Sequence, residues 1–314
     1  MKKFILKRLL WMIPTVLGVC VLVFTIMYFA PGDPTGIILG PNATDAQINA
    51  LRDSLGLNDP FFVRLWNYLK SVFFHLDFGT SYTTGVSVVK ELAERLPRTL
   101  MLGIISIAVS IVLGIPIGIY AATHQNKASD YISMAIALLG SAVPGFWFAL
   151  VLVIVFAYQL NWFPAYGMGS WIYWVLPIIS NSFAAVGLQA RQARSSMLEV
   201  IRSDYITMAR SKGVPHWKVI YKHALPNALI PLITTAGSQF ANSLAGGLLV
   251  EKIFSIPGVG NYLVAAVNNR DYPVVQGSII IIAVSFSIIM LLTDLVMAAV
   301  DPNIKSQFAS GGRK

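Results

Sequence analysis

The chain has 314 residues, of which 56% are hydrophobic and only 12% charged. A soluble domain averages about 25% charged residues, so charge this sparse cannot cover a water-soluble protein of this length, and the natural solvent for most of it is lipid. The net charge of +9 raises nucleic acid as a partner, but the basic residues gather beside apolar stretches and argue against it; the single cysteine, Cys20, excludes an internal disulfide.

About 20 helical residues cross a hydrocarbon core of about 30 Å. The first stretch of that kind is Leu9–Ala30. It exceeds the roughly 7–15 apolar residues of a cleaved leader, and Pro31-Gly32-Asp33-Pro34 follows it in place of a small-residue cleavage site, so it reads as a retained helix. The segment 31–98 is not membrane-like. Thr44 with Asp45 caps a helix through Ser54 that ends at Gly56; Pro60 opens a second through Phe74, with Phe61, Phe62, Leu65, Trp66 and Leu69 on one face; a third runs from Val86 to Arg95. Together they make an outer helical segment, either a dock for an external partner or a spacer on the helix ends.

Further apolar stretches are Thr99–Ala122, Ile132–Leu160, Trp171–Ala190, Ala228–Val250 and Val275–Val300, which brings the predicted spans to six. Pro144-Gly145 predicts a kink or tilt in the third. Gly114 and Gly118 in the second suit close helix packing. In the fifth, Gln239, Asn242, Ser243 and Gly246 recur at helical spacing and share a face that must turn away from lipid, to line a path or to bond between helices. Asp294 is the ionisable residue well inside a span; it is either a polar group near a gate or, preferred here, the partner of a basic residue such as Arg191 or Arg194.

Short loops rich in Lys and Arg stay in the cytoplasm. Lys2, Lys3, Lys7 and Arg8, then Lys127, then Arg191, Arg194, Arg202, Arg210, Lys212, Lys218 and Lys222, and finally Lys305, Arg313 and Lys314 fall on one side. Both termini and the loop after the fourth span are therefore expected on the cytoplasmic side of the membrane. The layout is 1–30 for tail and first helix, 31–98 for the outer segment, 99–302 for a core of five helices and 303–314 for a cytoplasmic tail. The fold class is all-α membrane protein.

No G-x-x-x-x-G-K-[ST] phosphate loop, H-E-x-x-H, C-x-x-C or G-x-S-x-G occurs. No enzyme site and no cofactor site is predicted. The informative stretch is the inner loop 203–226. Ser203 or Asp204 caps a helix through Lys212, Gly213 supplies a left-handed turn, and Pro215 opens a second short helix with Trp217, Ile220 and Tyr221 on one face and Lys218 and Lys222 turned away. Such an element either rests on lipid headgroups or inserts into a soluble partner.

The same loop resembles the signature loop of ABC importer permeases, E-A-A-x-x-x-G followed by I-x-L-P: Ala209 and Gly213 match, and Leu225-Pro226 closes it at the right distance, while Thr207, Met208 and His223 depart. Asp204, Tyr205, Ala209, Arg210, Lys212 and Gly213 are similar to the version in the dipeptide/oligopeptide/nickel branch. So are Asp77-Phe78-Gly79-Thr80-Ser81-Tyr82, Arg95-Leu96-Pro97-Arg98-Thr99-Leu100, Glu251 through Gly260 and Arg270 through Gln276, in that order over nearly the whole chain. The resemblance implies a permease without its own energy source. Its expected partners are a second homologous permease, two cytoplasmic ABC ATPase subunits and an external solute-binding protein, in a lipid bilayer. Peptides are the expected substrate; nickel or a metal chelate is the alternative. A self-contained secondary transporter would favour an internal repeat and several buried carboxylates, and neither is visible.

Overall fold

The computed structural model describes residues 2–30, 33–40 and 42–300. The expected tail 303–314, Pro31-Gly32 and Asp301-Pro302 lie outside them. The described chain is nearly all helical and contains no strand. In order the helices are α1 (Lys2–Phe29), α2 (Pro34–Leu39), α3 (Asp45–Ser54), α4 (Phe61–Lys70), α5 (Val88–Thr123), α6 (Ala128–Ala142), α7 (Gly145–Leu152), α8 (Ile172–Ile201), α9 (Asp204–Ser211), α10 (His216–Lys218), α11 (Leu225–Ile253), α12 (Val259–Asn268) and α13 (Tyr272–Val300). Wider π-helical turns extend α4 over Ser71–His75, α7 over Val153–Gln159 and α10 over Val219–Ala224.

Among the described residues, four helices are long and apolar enough to cross a membrane: α1 from Ile5, α5, α8 and α13. The third predicted stretch is not one straight span. It breaks between α6 and α7 with a 99° bend. Pro144 causes the break, because it has no N–H to donate and forces Val143 into extended backbone, φ −79° and ψ 126°. Helix α11 covers the fifth stretch and is 29 residues long. Thr234, Thr235, Ser238, Gln239, Asn242 and Ser243 place polar groups along its middle, and it falls outside the four.

Two other boundaries move. The third outer helix predicted over 86–95 is the first part of α5, which runs 36 residues straight through Pro97. Helix α8 does not stop at Ala190 but reaches Ile201. No glycine or proline stands between Ala190 and Arg202 to end it, and Arg191 and Arg194 are good helix formers. Both arginines are thus helix residues rather than loop residues.

The chain divides into two compact units. One takes Leu100–Ile256 with the described parts of Met1–Leu6 and Ile288–Lys314. Here α8 is central, and small residues let other helices approach it. A Cβ added at Gly118 of α5 would collide with the Ala190 carbonyl and the Ala193 methyl, and one at Gly114 would lie 2.8 Å from Gln189 Cβ. Asn181 Nδ2 on α8 donates to Ser243 Oγ on α11 at 2.7 Å and to Ser106 Oγ on α5 at 3.2 Å. In lipid, such bonds and close backbones hold helices together where hydrophobic burial cannot.

The other unit takes Lys7–Thr99 and Pro257–Ser287. Its core joins Cys20 of α1, Val72 after α4 and Ile280 of α13. Thr44 and Gln47 form a reciprocal cap on α3, and Gly56 ends the turn after it at φ +63°. The expected face of α4 divides: Phe61, Leu65 and Leu69 turn inward, whereas Phe62 and Trp66 are 79% and 65% exposed. At successive positions about 100° apart, five residues cannot all share one narrow face. Asp33 caps α2, donated to by Thr35 and paired with Arg52. Partial burial works against its charge, but those bonds prevail and hold its carboxyl below the usual range.

Candidate functional site

The loop 203–226 is built as two short helices on the ends of longer ones. Ser203 sits at the start of α9 in extended backbone, but its hydroxyl donates to Val200 O at 2.6 Å and does not cap. The helix ends at Ser211, and Gly213 takes φ +75° with open space where a side chain would stand. Pro215 precedes α10, which widens at Val219 into π register.

That widening decides which side chains are available. Ile206, Val219, Ile220 and Ala224 are buried and pack with Ile119 and Ala122 of α5, Met197 of α8 and Ala228 of α11. Trp217 and Tyr221 remain 61% and 58% exposed. The expectation that Ile220 shares the outward face of Trp217 and Tyr221 is therefore corrected. Spacing of three places residues on one side of an α-helix but not of the wider π turn. Lys218 is corrected too: its ammonium lies 5.5 Å from the Trp217 ring centroid instead of turning away. Asp204, Tyr205, Arg210, Pro215 and Pro226 are exposed, and Ala209 and Leu225 half-buried. Asn227 Nδ2 donates to the Tyr205 hydroxyl at 2.9 Å, tying α9 to the start of α11. The loop is an outward ridge of aromatic and basic groups on a packed apolar base.

The second candidate site is the polar stripe of α11. Gln239 and Ser243 are 6% and 7% exposed, and Asn242 is open. Ser243 is engaged with Asn181, so it belongs to helix packing. Gln239 and Asn242 instead line a cavity of about 460 Å³, with Thr234 and Ser238 of the same helix and Arg191 and Gln192 of α8. The four expected residues therefore split. Asn242 and Ser243 are about 100° apart around the helix, enough to send one to the cavity and one to the neighbour. The surroundings of Gly246 lie outside the described residues.

Asp294 is 5% exposed on α13. Arg194 is not its partner: its guanidinium grips Asp130 of α6 with two bonds of 2.6 and 2.8 Å, and Asp130 is 1% exposed.

Comparison with known proteins decides what such a chain is. Residues 114–306 match the family described as binding-protein-dependent transport system inner membrane component, and residues 1–103 match the N-terminal region described for such membrane components. The chain belongs to this permease family. It is similar to the glutathione transport system permease protein GsiC of Salmonella choleraesuis (strain SC-B67), 41% identical over 306 residues, covering 97% of this chain and 99% of that one. GsiC of Escherichia coli (strain K12) is 39% identical over 305 residues, with the same coverage. In fold the permease is similar to a chain of the inward-facing MetNI methionine ABC transporter, with TM-score 0.59 and 17% identity over 68% of this chain and 97% of that one. A chain of an amino acid ABC transporter gives TM-score 0.52 and 15% identity over 68% and 94%. The protein is a permease subunit of an ABC importer, and such a subunit is not itself catalytic.

Two of the motifs that carried the resemblance meet in the permease. Asp271 is 2% exposed and accepts from Ser81 Oγ at 2.6 Å, Tyr82 N at 3.1 Å and Thr83 N at 3.2 Å. Nearby, Arg98 donates to Pro257 O at 3.1 Å, and Thr99 Oγ1 accepts from Val259 N at 2.9 Å. Ser81, Tyr82 and Thr83 pin the loop before α5, and Arg98 and Thr99 pin α5 itself, to the turns around α12. Sequence reasoning missed Arg191 as a cavity residue because the span was cut at Ala190; the lack of any breaker up to Arg202 was the signal.

Proposed function

We propose that this permease forms half of the membrane channel of an importer for small peptides, with glutathione as its substrate. The observation that carries this is the 41% identity, across 97% of the chain, to a glutathione permease. Glutathione is a tripeptide, which agrees with the peptide branch suggested by the loop and outer motifs. The other half is a second homologous permease. ATP is hydrolysed on two separate subunits that dock on the Trp217–Tyr221 ridge, and an external solute-binding protein delivers substrate to the outer segment 31–98.

In this reading α1, α5, the bent α6–α7 pair, α8, α11 and α13 are the six crossings, with both termini inside. Gln239 and Asn242 face the path, and Ser243 holds α11 to α8. The polar content of α11 supports this, because a helix so polar must turn from lipid.

The binding protein encoded beside the gene tests the substrate, since it does most of the selecting. Titration with reduced glutathione, a dipeptide set and a nickel chelate should show tightest binding to glutathione. Tightest binding to the nickel chelate, with no peptide bound, would overturn the peptide reading.

A further inference from the structure

We propose that the cavity between α8 and α11 is an anion-recognition site in which Arg191 receives a carboxylate of the transported peptide. This rests on the reading of that cavity as part of the path. Arg191 lies on a helix long and apolar enough to cross a membrane, ten positions before its end. An ionisable residue in such a helix is costly and needs a partner. Arg194, three positions on, has one in Asp130. Among the described residues no carboxylate pairs with Arg191. Arg191 instead lines the cavity of about 460 Å³, within the usual size range of small-molecule sites.

The other lining groups specify what fits beside the charge. Gln239 is 6% exposed, yet its Nε2 has no hydrogen-bond partner. A buried amide donor left without an acceptor costs about 1–3 kcal/mol, so it marks a place where an acceptor is expected. Asn242 offers a further open amide. The hydroxyls of Thr234 and Ser238 already donate to the carbonyls of Ile230 and Thr234, at 3.1 Å each, and keep their lone pairs for a donor. One cation, a buried amide donor and a few acceptors suit a small peptide: a carboxylate on the guanidinium fork, a peptide carbonyl on Gln239, an amide or ammonium on the hydroxyls.

The test uses the assembled complex in nanodiscs with all its membrane and ATPase subunits and without the binding protein, so that upstream selection plays no part. Equilibrium dialysis measures retention of labelled glutathione and of its diamide, in which both carboxylates are amides. Arg191→Gln should weaken glutathione binding at least tenfold and leave the diamide unchanged. Arg191→Lys should weaken it less, and Gln239→Leu should weaken both ligands several-fold. Unchanged glutathione binding in Arg191→Gln, or equal loss of glutathione and diamide, would overturn the proposal. Should the wild-type complex bind an acidic dipeptide such as Asp-Ala through Arg191 but no glutathione, the substrate reading falls and the anion site stands. Binding of neither ligand removes the anion site.

Discussion

Replacing Trp217 and Tyr221 together by Ala should cut ATP-driven uptake at least tenfold while leaving the permease in the membrane at normal level. Both rings stand outside the packed base of the 203–226 loop, 61% and 58% exposed, so folding does not depend on them. Trp and Tyr are enriched among the few interface hot spots whose truncation costs about 2 kcal/mol or more, and about 1.4 kcal/mol is tenfold in an equilibrium constant. Co-purification of the ATPase with the variant should fall in parallel. Gly213→Val should act in the same direction through the backbone. Its side chain meets no neighbour, but φ +75° costs a β-branched residue about 1–2 kcal/mol, which tilts the ridge. Ile220→Ala should behave differently, lowering the amount of folded protein, because Ile220 is 3% exposed within the base. If the double variant kept full ATPase binding and instead lost affinity for anionic vesicles, the ridge would be a membrane-surface element.

Gly118→Leu should abolish accumulation of the permease altogether. At this position α5 and α8 touch backbone to side chain, and even a Cβ has no room against Ala190 and Ala193. Overpacking of a closed contact costs about 1–3 kcal/mol for an added methylene or two, more where backbone must move, and here the obstacle is the carbonyl of a helix. Gly18→Leu is the control: α1 has open space at Gly18, so its level in isolated membranes should match wild type. Equal loss of both would trace the effect to added apolar bulk in general and not to the close approach, since Leu is the better helix former at either position. Gly118→Leu at wild-type level would contradict the contact itself.

What was readable in the chain follows from which forces act locally. Apolar length placed α1, α5, α8 and α13, since lipid imposes that length on any crossing helix. Thr44, Gly56 and Gly213 placed their turns because capping and left-handed backbone depend on the residue itself. Proline was read unevenly. Pro144 bends its stretch by 99°, far beyond a kink, whereas α5 runs unbroken through Pro97; neighbours that restore the lost bond are not visible along one sequence. The π turn after Lys218 rotated Ile220 inward, and no spacing argument foresees a change of helical register. Pairings such as Arg194 with Asp130, 64 positions apart, or Asp271 with Ser81, 190 apart, depend on tertiary placement. Motif order identified these segments but not their contacts.

A chain with one cysteine allows the coupling between loop and ATPase to be read directly. Cys20 is buried, and with Cys20→Ser as background, Lys222→Cys and Phe62→Cys each carry one exposed thiol without removing either aromatic of the ridge. In the assembled complex in native membranes, a short thiol-to-amine cross-linker should join Lys222→Cys to an ATPase subunit, identified by mass spectrometry. Phe62→Cys should instead be labelled by an impermeant thiol reagent from outside and never join the ATPase. Capture of the ATPase through Phe62→Cys, or no capture from the 203–226 ridge under conditions where the complex co-purifies intact, would contradict the assignment of that ridge as the point where ATP hydrolysis moves this permease.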